Sequence, residues 1–511
     1  MKKLINIILV ALPVVMVSLS PVLAQTATRD EALRVANNWI TLMLQNEDAW
    51  GDSKTASVEG IEEFKRGERI LGYFCRVRPK GYIIVSLRKE LAPVKAYSAT
   101  DYLNAESKEG LADMLKSDME RALNAIEEQM GTIESATEDE QSILEIDHQP
   151  AWNKLEADVQ SFKAGLESGA IAMAYDPGTW LISSQWNQRP PYNDDCPDKG
   201  CSWPDYNYYN TNARVGCTAT AAAQIMRYWS WPPGYDWLNM LDKYIYIYDP
   251  AYNPPFKDGN GNQVTQAQID AVAELCSSLG AASGMIYTCD ISTTLTPLPM
   301  SVAMETYFAY NAGHVFGATH DMDSWHDFQI TQLNANRPVL YGNGGELHTY
   351  VVDGWKQADG NLLWHINYGW KRDCDNPNDG CNTWYSRDYP PLTDAMVRDI
   401  KPIVSLGNVL SGTYTGNGGY RYFDQDCTNN SLAPIVTFGA GQNLQFLPGV
   451  RIKCRDNQGF KIRFEGTTSE NTRLFSIKGT QSAGIKIYNG AIELYRGGGL
   501  TFLSRQAFTS Y

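Results

Sequence analysis

The stretch from Val215 to Trp229 constrains this chain more than any other. It reads Val-Gly-Cys-Thr-Ala-Thr-Ala-Ala-Ala-Gln-Ile-Met-Arg-Tyr-Trp. Gly216 precedes a run of strong helix formers, and Pro232-Pro233-Gly234 stops it. The three consecutive alanines let such a helix bury itself against its neighbours. Cys217 therefore falls at or near a helix N-terminus, where unpaired amides and the helix dipole favour a thiolate. That is not sufficient for chemistry. A free thiol with a pKa of about 8.5 is only a few per cent ionised at neutral pH. A helix terminus contributes at most about 2 kcal/mol, or roughly 1.5 pKa units. A strongly acidic thiol needs a protonated imidazole beside it, brought in from elsewhere in the chain.

The chain has six histidines. His148 lies in a presumed linker, and His314, His320 and His326 lie in a polar stretch without an obvious partner. His348 follows Gly344-Gly345-Glu346-Leu347 and leads into Thr349-Tyr350-Val351-Val352-Asp353-Gly354, an expected strand. After a turn around Gln357 to Gly360, Leu362 to Trp370 reads as a second strand. A hairpin of the two brings Asn367 back near His348. A side-chain amide that accepts from the imidazole fixes its tautomer and aims the other ring nitrogen at sulfur. Asp353 is an alternative orienting group, although its position fits the end of the strand better. His365 reads as a packed strand histidine. Spacing alone leaves His348 only modestly ahead.

The rest of the chain sets the context. Lys2 and Lys3, an apolar run from Leu4 to Leu19 and Val22-Leu23-Ala24 describe a secretory signal peptide over residues 1–24. The expected location is thus secreted or cell-surface, with no transmembrane segment in the mature chain. A net charge of −15 with pI ≈ 5.0 argues against nucleic acid as a partner. Ten cysteines in an exported chain read first as disulfides. Proximity suggests Cys196–Cys201, Cys276–Cys289, Cys374–Cys381 and Cys427–Cys454, leaving Cys75 and Cys217. The zinc reading of these cysteines is weak, because no C-x2-C is matched by a second such unit, and the sequence implies no metal or organic cofactor.

Composition divides the chain further. Thr28-Arg29-Asp30-Glu31 fits a capping box ahead of a helix. Gly81 to Ser86 reads as a strand, and Leu103 to Met130 as mostly helix. Glu134 to Asp147 is acidic and weakly patterned, as a linker would be. Residues 25–170 thus form an α+β unit ending in a cleavable linker. Residues 171–402, rich in Trp, Tyr, Asn, Gly and Pro, form a second unit. From 403 to 511, short β runs such as Ile435–Phe438 and Lys461–Phe464 predict a small all-β module.

Four blocks resemble the streptopain-like cysteine peptidases, papain-like enzymes secreted by bacteria. They are Trp186 to Asn193, Gly216 to Met226, Leu333 to Gly354 with His348 inside it, and His365 to Trp370. The resemblance implies a papain-like fold, with a helical half against a twisted antiparallel sheet. It implies Cys217 as nucleophile, His348 as general base and acid, Asn367 as its orienting partner and Gln188 as an oxyanion donor. Tyr368, Trp370 and Gly345 are the implied substrate contacts. The family usually has Trp at the position of Tyr368, and Gly before the histidine where this chain has Leu347. Both departures bear on substrate fit more than on catalysis.

The family's zymogen habit makes residues 25–170 an expected intramolecular inhibitor, released by a cut between about Glu134 and Tyr175. The expected activity is hydrolysis of peptide bonds in protein or peptide substrates by a secreted cysteine endopeptidase. Two alternatives use the same residues differently: acyl transfer to an amine, or an inert papain-like part in a secreted binding or adhesion protein.

Overall fold

In a computed structural model, the described residues are 26–130 and 148–402, apart from short interruptions, the longest being 371–381. In 403–511 only the strand backbones are described. The expected signal peptide and the expected linker from Glu134 to Asp147 therefore lie outside the described residues. So do the Cys374–Cys381 pairing and the side chains of Cys427 and Cys454.

The chain opens with α1 (Arg29–Asn46), whose capping box forms as its sequence predicts: Thr28 and Glu31 satisfy each other's backbone amides. Ala32, Val35, Ala36, Trp39, Ile40 and Met43 recur at helical spacing and are all buried. Four antiparallel strands follow, β1 (Ser57–Arg66), β2 (Arg69–Arg78), β3 (Tyr82–Ser86) and β4 (Val94–Ser98), then α2 (Gly110–Met130). The helix expected from Leu103 begins only at Gly110; Ser107 caps a turn instead. Two short helices, α3 (Gln149–Leu155) and α4 (Val159–Ser168), lay Trp152, Leu155 and Phe162 against α1.

After β5 (Tyr175–Trp180) comes the buried helix α5 (Cys217–Trp229), then the two-residue strands β6 (Ile245–Tyr246) and β7 (Phe256–Lys257). Helices α6 (Gln266–Ala282) and α7 (Leu298–Tyr307), strand β8 (Tyr310–Phe316) and helix α8 (Met322–Asn334) follow. The last five sheet strands of this part are β9 (Val339–Asn343), β10 (His348–Ala358), β11 (Asn361–Asn367), β12 (Asn382–Tyr385) and β13 (Ala395–Pro402). Helix α5 packs across β10 and β9 on one side and against α6 on the other. This is the expected α+β arrangement of helices against an antiparallel sheet.

One sheet runs through both parts, in the order β1-β2-β3-β4-β12-β11-β10-β9-β13-β8, with β5 also pairing to β10. The joint is the short antiparallel contact of β4 with β12, Tyr97 opposite Trp384 and Ala96 opposite Tyr385. Buried polar contacts reinforce it: Lys95 to Asp388 at 3.0 Å, and the Tyr82 hydroxyl to Thr383 at 2.7 Å. Lys356 on β10 reaches Glu47 beyond α1 at 2.7 Å.

The C-terminal strands pair in parallel, not as hairpins. Val409–Leu410, Cys427–Asn429, Ile452–Lys453, Lys486–Tyr488 and Thr509–Ser510 form one sheet. Thr413–Tyr414, Ile435–Phe438, Phe460–Glu465 and Gly490–Tyr495 form a second. Tyr420–Phe423, Asn443–Phe446 and Arg473–Ser476 form a third. From Val409 to Ser476 each circuit of the chain adds one strand to each sheet in turn, the pattern of a β-solenoid.

The disulfides depart from the expectation. Cys201 is bridged to Cys289, with Cα atoms 5.3 Å apart, while Cys75, Cys196, Cys217 and Cys276 are free and buried. Cys196 and Cys201 do not pair with each other, and neither do Cys276 and Cys289. Cys196 turns into the core, whereas Cys201 meets the segment that follows α6. Cys217 is left free.

Candidate active site

Helix α5 starts at Cys217 because Gly216 can do what other residues cannot. Its φ is +91°, and a Cβ there would meet the Met285 sulfur at 2.7 Å. Thr220 N–H makes the first intrahelical bond, to Gly216 O at 3.0 Å. The amides of the first turn are thus free to face the space around the Cys217 sulfur.

His348 begins β10, and the hairpin with β11 forms as the sequence predicts, Val351 lying opposite Asn367. The strand continues through Asp353 to Ala358 rather than ending at Asp353. Both Cys217 and His348 are buried. Burial by itself would push the Cys217 thiol up. The charge of His348, its hydrogen bond and the Thr349 N–H outweigh that and bring the thiol down to about 7.

The structure brings His348 and Asn367 close but does not join them. His348 Nε2 lies 2.9 Å from the backbone carbonyl of Tyr368. A carbonyl only accepts, so Nε2 carries hydrogen and Nδ1 is left to exchange a proton with sulfur. Asn367 instead forms a buried amide pair with Gln224, with contacts of 3.2 and 2.9 Å, and donates to Ser184 O at 2.7 Å. Its carboxamide oxygen is occupied by Gln224 and not by the imidazole.

Gln188 is buried beside this segment. Its Nε2 donates to Gly369 O at 3.2 Å, and its own carbonyl accepts from Val215 N–H at 3.0 Å, just ahead of α5. The Tyr368 ring lies 4.1 Å from the His348 ring, and Trp370 meets the same imidazole edge-on at 5.2 Å. A cavity of about 190 Å³ opens beside Cys217 and His348, walled by Thr293, Pro297, Phe316, Leu347 and Thr393.

Helix α2 lies over the site's rim. Asp118 accepts from Asn343 Nδ2 at 3.1 and 3.2 Å and from the Tyr385 hydroxyl at 2.5 Å. Arg121 donates to Asn343 Oδ1 at 3.0 Å, and its guanidinium occupies the space a side chain on Gly345 would need. Gly110, at the start of α2, fits against the Trp370 ring, where a Cβ would come within 2.8 Å. The sequence reading missed Asp118, Arg121 and Gln224. For Gln224 a signal existed: it is polar, seven residues after Cys217, and so lies on the same face of the helix two turns on.

The remaining histidines stand apart. His365 Nδ1 lies 2.6 Å from Asp353 Oδ1, and its ring stacks on Trp180 and meets Trp384 edge-on, both at 5.0 Å. It is the packed strand histidine that the sequence suggested. His148 precedes α3, 3.7 Å from Asp388, and burial pushes the His326 imidazole down to about 4. Among the described residues, no group of His, Cys, Asp and Glu has the arrangement of a metal site.

A free cysteine beside an imidazole, at the head of a buried helix, defines the thiol-peptidase class. Residues 186–376 match the Peptidase C10 family and residues 24–122 match the Spi protease inhibitor family. A Peptidase C10 region behind an inhibitor-like pro-segment is the make-up of a cysteine endopeptidase produced as a zymogen. Streptopain of Streptococcus pyogenes is 24% identical over 379 residues, covering 69% of this chain and 85% of that protein. Thiol protease/hemagglutinin PrtT of Porphyromonas gingivalis is 26% identical over 170 residues, 31% of this chain and 19% of that one. Among solved structures, prointerpain A of Prevotella intermedia matches 67% of this chain and 99% of its own, at 21% identity and a TM-score of 0.46. Among the described residues, no helix is long and apolar enough to cross a membrane.

Proposed function

We propose that Cys217 is the nucleophile of this endopeptidase and His348 its general base and acid. The observation that carries this is a free thiol at the start of α5 and an imidazole at the start of β10 lining one cavity, with the imidazole bringing the thiol down against the direction burial would drive it. The Cys217 thiolate attacks the substrate carbonyl to give a thioester, and His348 protonates the departing amine. The same imidazole then takes a proton from the water that releases the acid. The Cys217 N–H, at the open start of α5, is one oxyanion donor. The Gln188 carboxamide is the other: one of its two N–H bonds is held by Gly369 O, leaving the second for substrate. Tyr368 and Trp370 wall the imidazole and exclude water. Gly345 and the cavity beside Leu347 and Phe316 take the substrate, and their lining suits an apolar side chain.

Residues 1–24 export the chain as a signal peptide. Residues 25–170 inhibit the peptidase domain, 171–402, and 403–511 form the C-terminal module. Packing supports the boundary near 170: α3 and α4 bury their apolar faces on α1, while β5 joins β10 of the catalytic sheet. Inhibition is supported by Arg121 over Gly345 and Gly110 against Trp370, because Gly345 and Trp370 are the positions a substrate would contact. The protein therefore leaves the cell as an inactive precursor that matures by proteolysis. Cys217→Ala should leave a folded full-length precursor with no self-processing. Processing at the normal rate with no other protease present would overturn the assignment.

A further inference from the structure

Three consecutive residues at the end of β11 each hold something different. The Asn367 side chain is held by Gln224 and Ser184 O, the Tyr368 carbonyl takes His348 Nε2, and the Gly369 carbonyl takes Gln188 Nε2. Gly369 has a φ of +62°, and a Cβ there would lie 3.3 Å from Thr220 on α5, so the segment lies directly on the nucleophile helix. Gln224 is completely buried, and its Oε1 also accepts from Trp186 N–H at 3.0 Å and from the Ser184 hydroxyl at 3.3 Å. One side chain of α5 thus gathers the chain leading to Gln188 and the strand end that orients His348.

We infer that Gln224 and Asn367 form a positioning unit that sets the His348 imidazole and the Gln188 amide through the backbone of residues 368 and 369. Neither side chain touches the reacting atoms. The inference rests on the roles proposed above for Cys217, His348 and Gln188. Its physical basis is the cost of breaking a buried, reciprocally bonded amide pair. Truncating either partner leaves a buried donor and acceptor unpaired, and the strand end shifts to find new ones. A displacement of about 1 Å in a carbonyl that fixes an imidazole is enough to cost on the order of a hundredfold in rate.

The test uses full-length precursors matured in trans by a trace of wild-type enzyme. Variants are Gln224→Ala, Asn367→Ala, the two combined, and the exchanged pair Gln224→Asn with Asn367→Gln. Each single change should lower kcat by roughly thirtyfold or more with KM within about threefold. The combined variant should fall no more than about threefold below the worse single, because both remove the same unit. The exchanged pair, which can rebuild the reciprocal bonds, should recover most of the loss. With the imidazole misplaced, the pH midpoint for alkylation of Cys217 should rise from about 7 in both single variants alike.

Losses that multiply in the combined variant would overturn the inference, as would wild-type kcat in Gln224→Ala. Should an alanine variant fail to fold, as a thermal melt would reveal, Gln224→Glu decides. It keeps the acceptor for Trp186 and loses the N–H donated to Asn367, so a wild-type kcat there counts against the unit. Activity persisting in Cys217→Ala would instead overturn the reading of the site itself.

Discussion

His348 and His365 sit on the two strands of one hairpin, both buried among aromatic rings, and differ in their polar partners. His365 has the stronger-looking partner, a buried carboxylate at 2.6 Å, and two tryptophans against its ring. His348 has only a backbone carbonyl on one nitrogen, and a thiol facing the other. Both rings are packed against aromatic side chains, and a carboxylate partner holds a histidine in place without making it reactive. What separates the two is a thiol within reach and a ring nitrogen left to exchange a proton with it. Asp353 makes the same point from the other side, since its second oxygen accepts from Ile182 N–H at 2.8 Å and pins the chain just beyond β5. The His365–Asp353 pair is thus an anchor for that segment.

The most direct way to break this comparison is to remove each imidazole in turn. His348→Ala should lower turnover by at least about a thousandfold in enzyme matured in trans, since proton transfer and thiolate stabilisation are lost together. His365→Ala should leave kcat within about threefold. Measured turnover that falls equally in both variants would erase the distinction between a reactive and an anchoring histidine.

How much of this was legible in the sequence follows from where the determinants lie. Helix α5 and its first residue are set locally, by Gly216, the alanines and the stop that follows, so reading them required no fold. The β10–β11 hairpin was equally open to reading, through glycines and a turn, and the Thr28 capping box through four adjacent residues. The partner of Asn367 was not: Gln224 is 143 residues away in sequence. Reasoning from Cys-His-Asn logic assigned that amide to the imidazole, while the fold uses the neighbouring carbonyl. The Cys201–Cys289 bridge spans 88 residues and was hidden for the same reason. So was the β4–β12 joint, where two pairs of residues fuse the sheets of the pro-segment and the peptidase. In the C-terminal module the strands themselves were visible. Short β runs between turns read alike whether they pair as hairpins or stack as coils.

A smaller effect sharpens the contrast through pH. The Cys217 thiol is brought down to about 7 by His348, from an ordinary value near 9. Its thiolate is therefore the populated form above about 7 and is lost as pH falls through that value. In the matured enzyme, the rate of alkylation by a neutral reagent should fall about tenfold for each unit below the midpoint. Replacing His365 should not move that midpoint, whereas replacing His348 should move it upward, since the lowering influence is removed while burial remains. A midpoint unaffected by loss of His348 would mean that the thiol is tuned by something else, such as the helix terminus alone.

The smallest effect concerns stability. Asp353 is fully buried, and in His365→Ala its Oδ1 loses the partner at 2.6 Å while Oδ2 keeps the Ile182 amide. The lost charge-assisted bond and ring packing should destabilise the fold by about 2–4 kcal/mol. In Asp353→Asn with His365→Gln, two neutral amides replace the pair, and the bond between them can re-form. That double variant should recover part of the loss, because no carboxylate is left buried without compensation. Denaturant melts of the precursor, in a Cys217→Ala background to prevent self-cleavage, give both numbers. If the single variant melts like its parent, His365 contributes no anchor, and the two histidines differ only in their distance from sulfur.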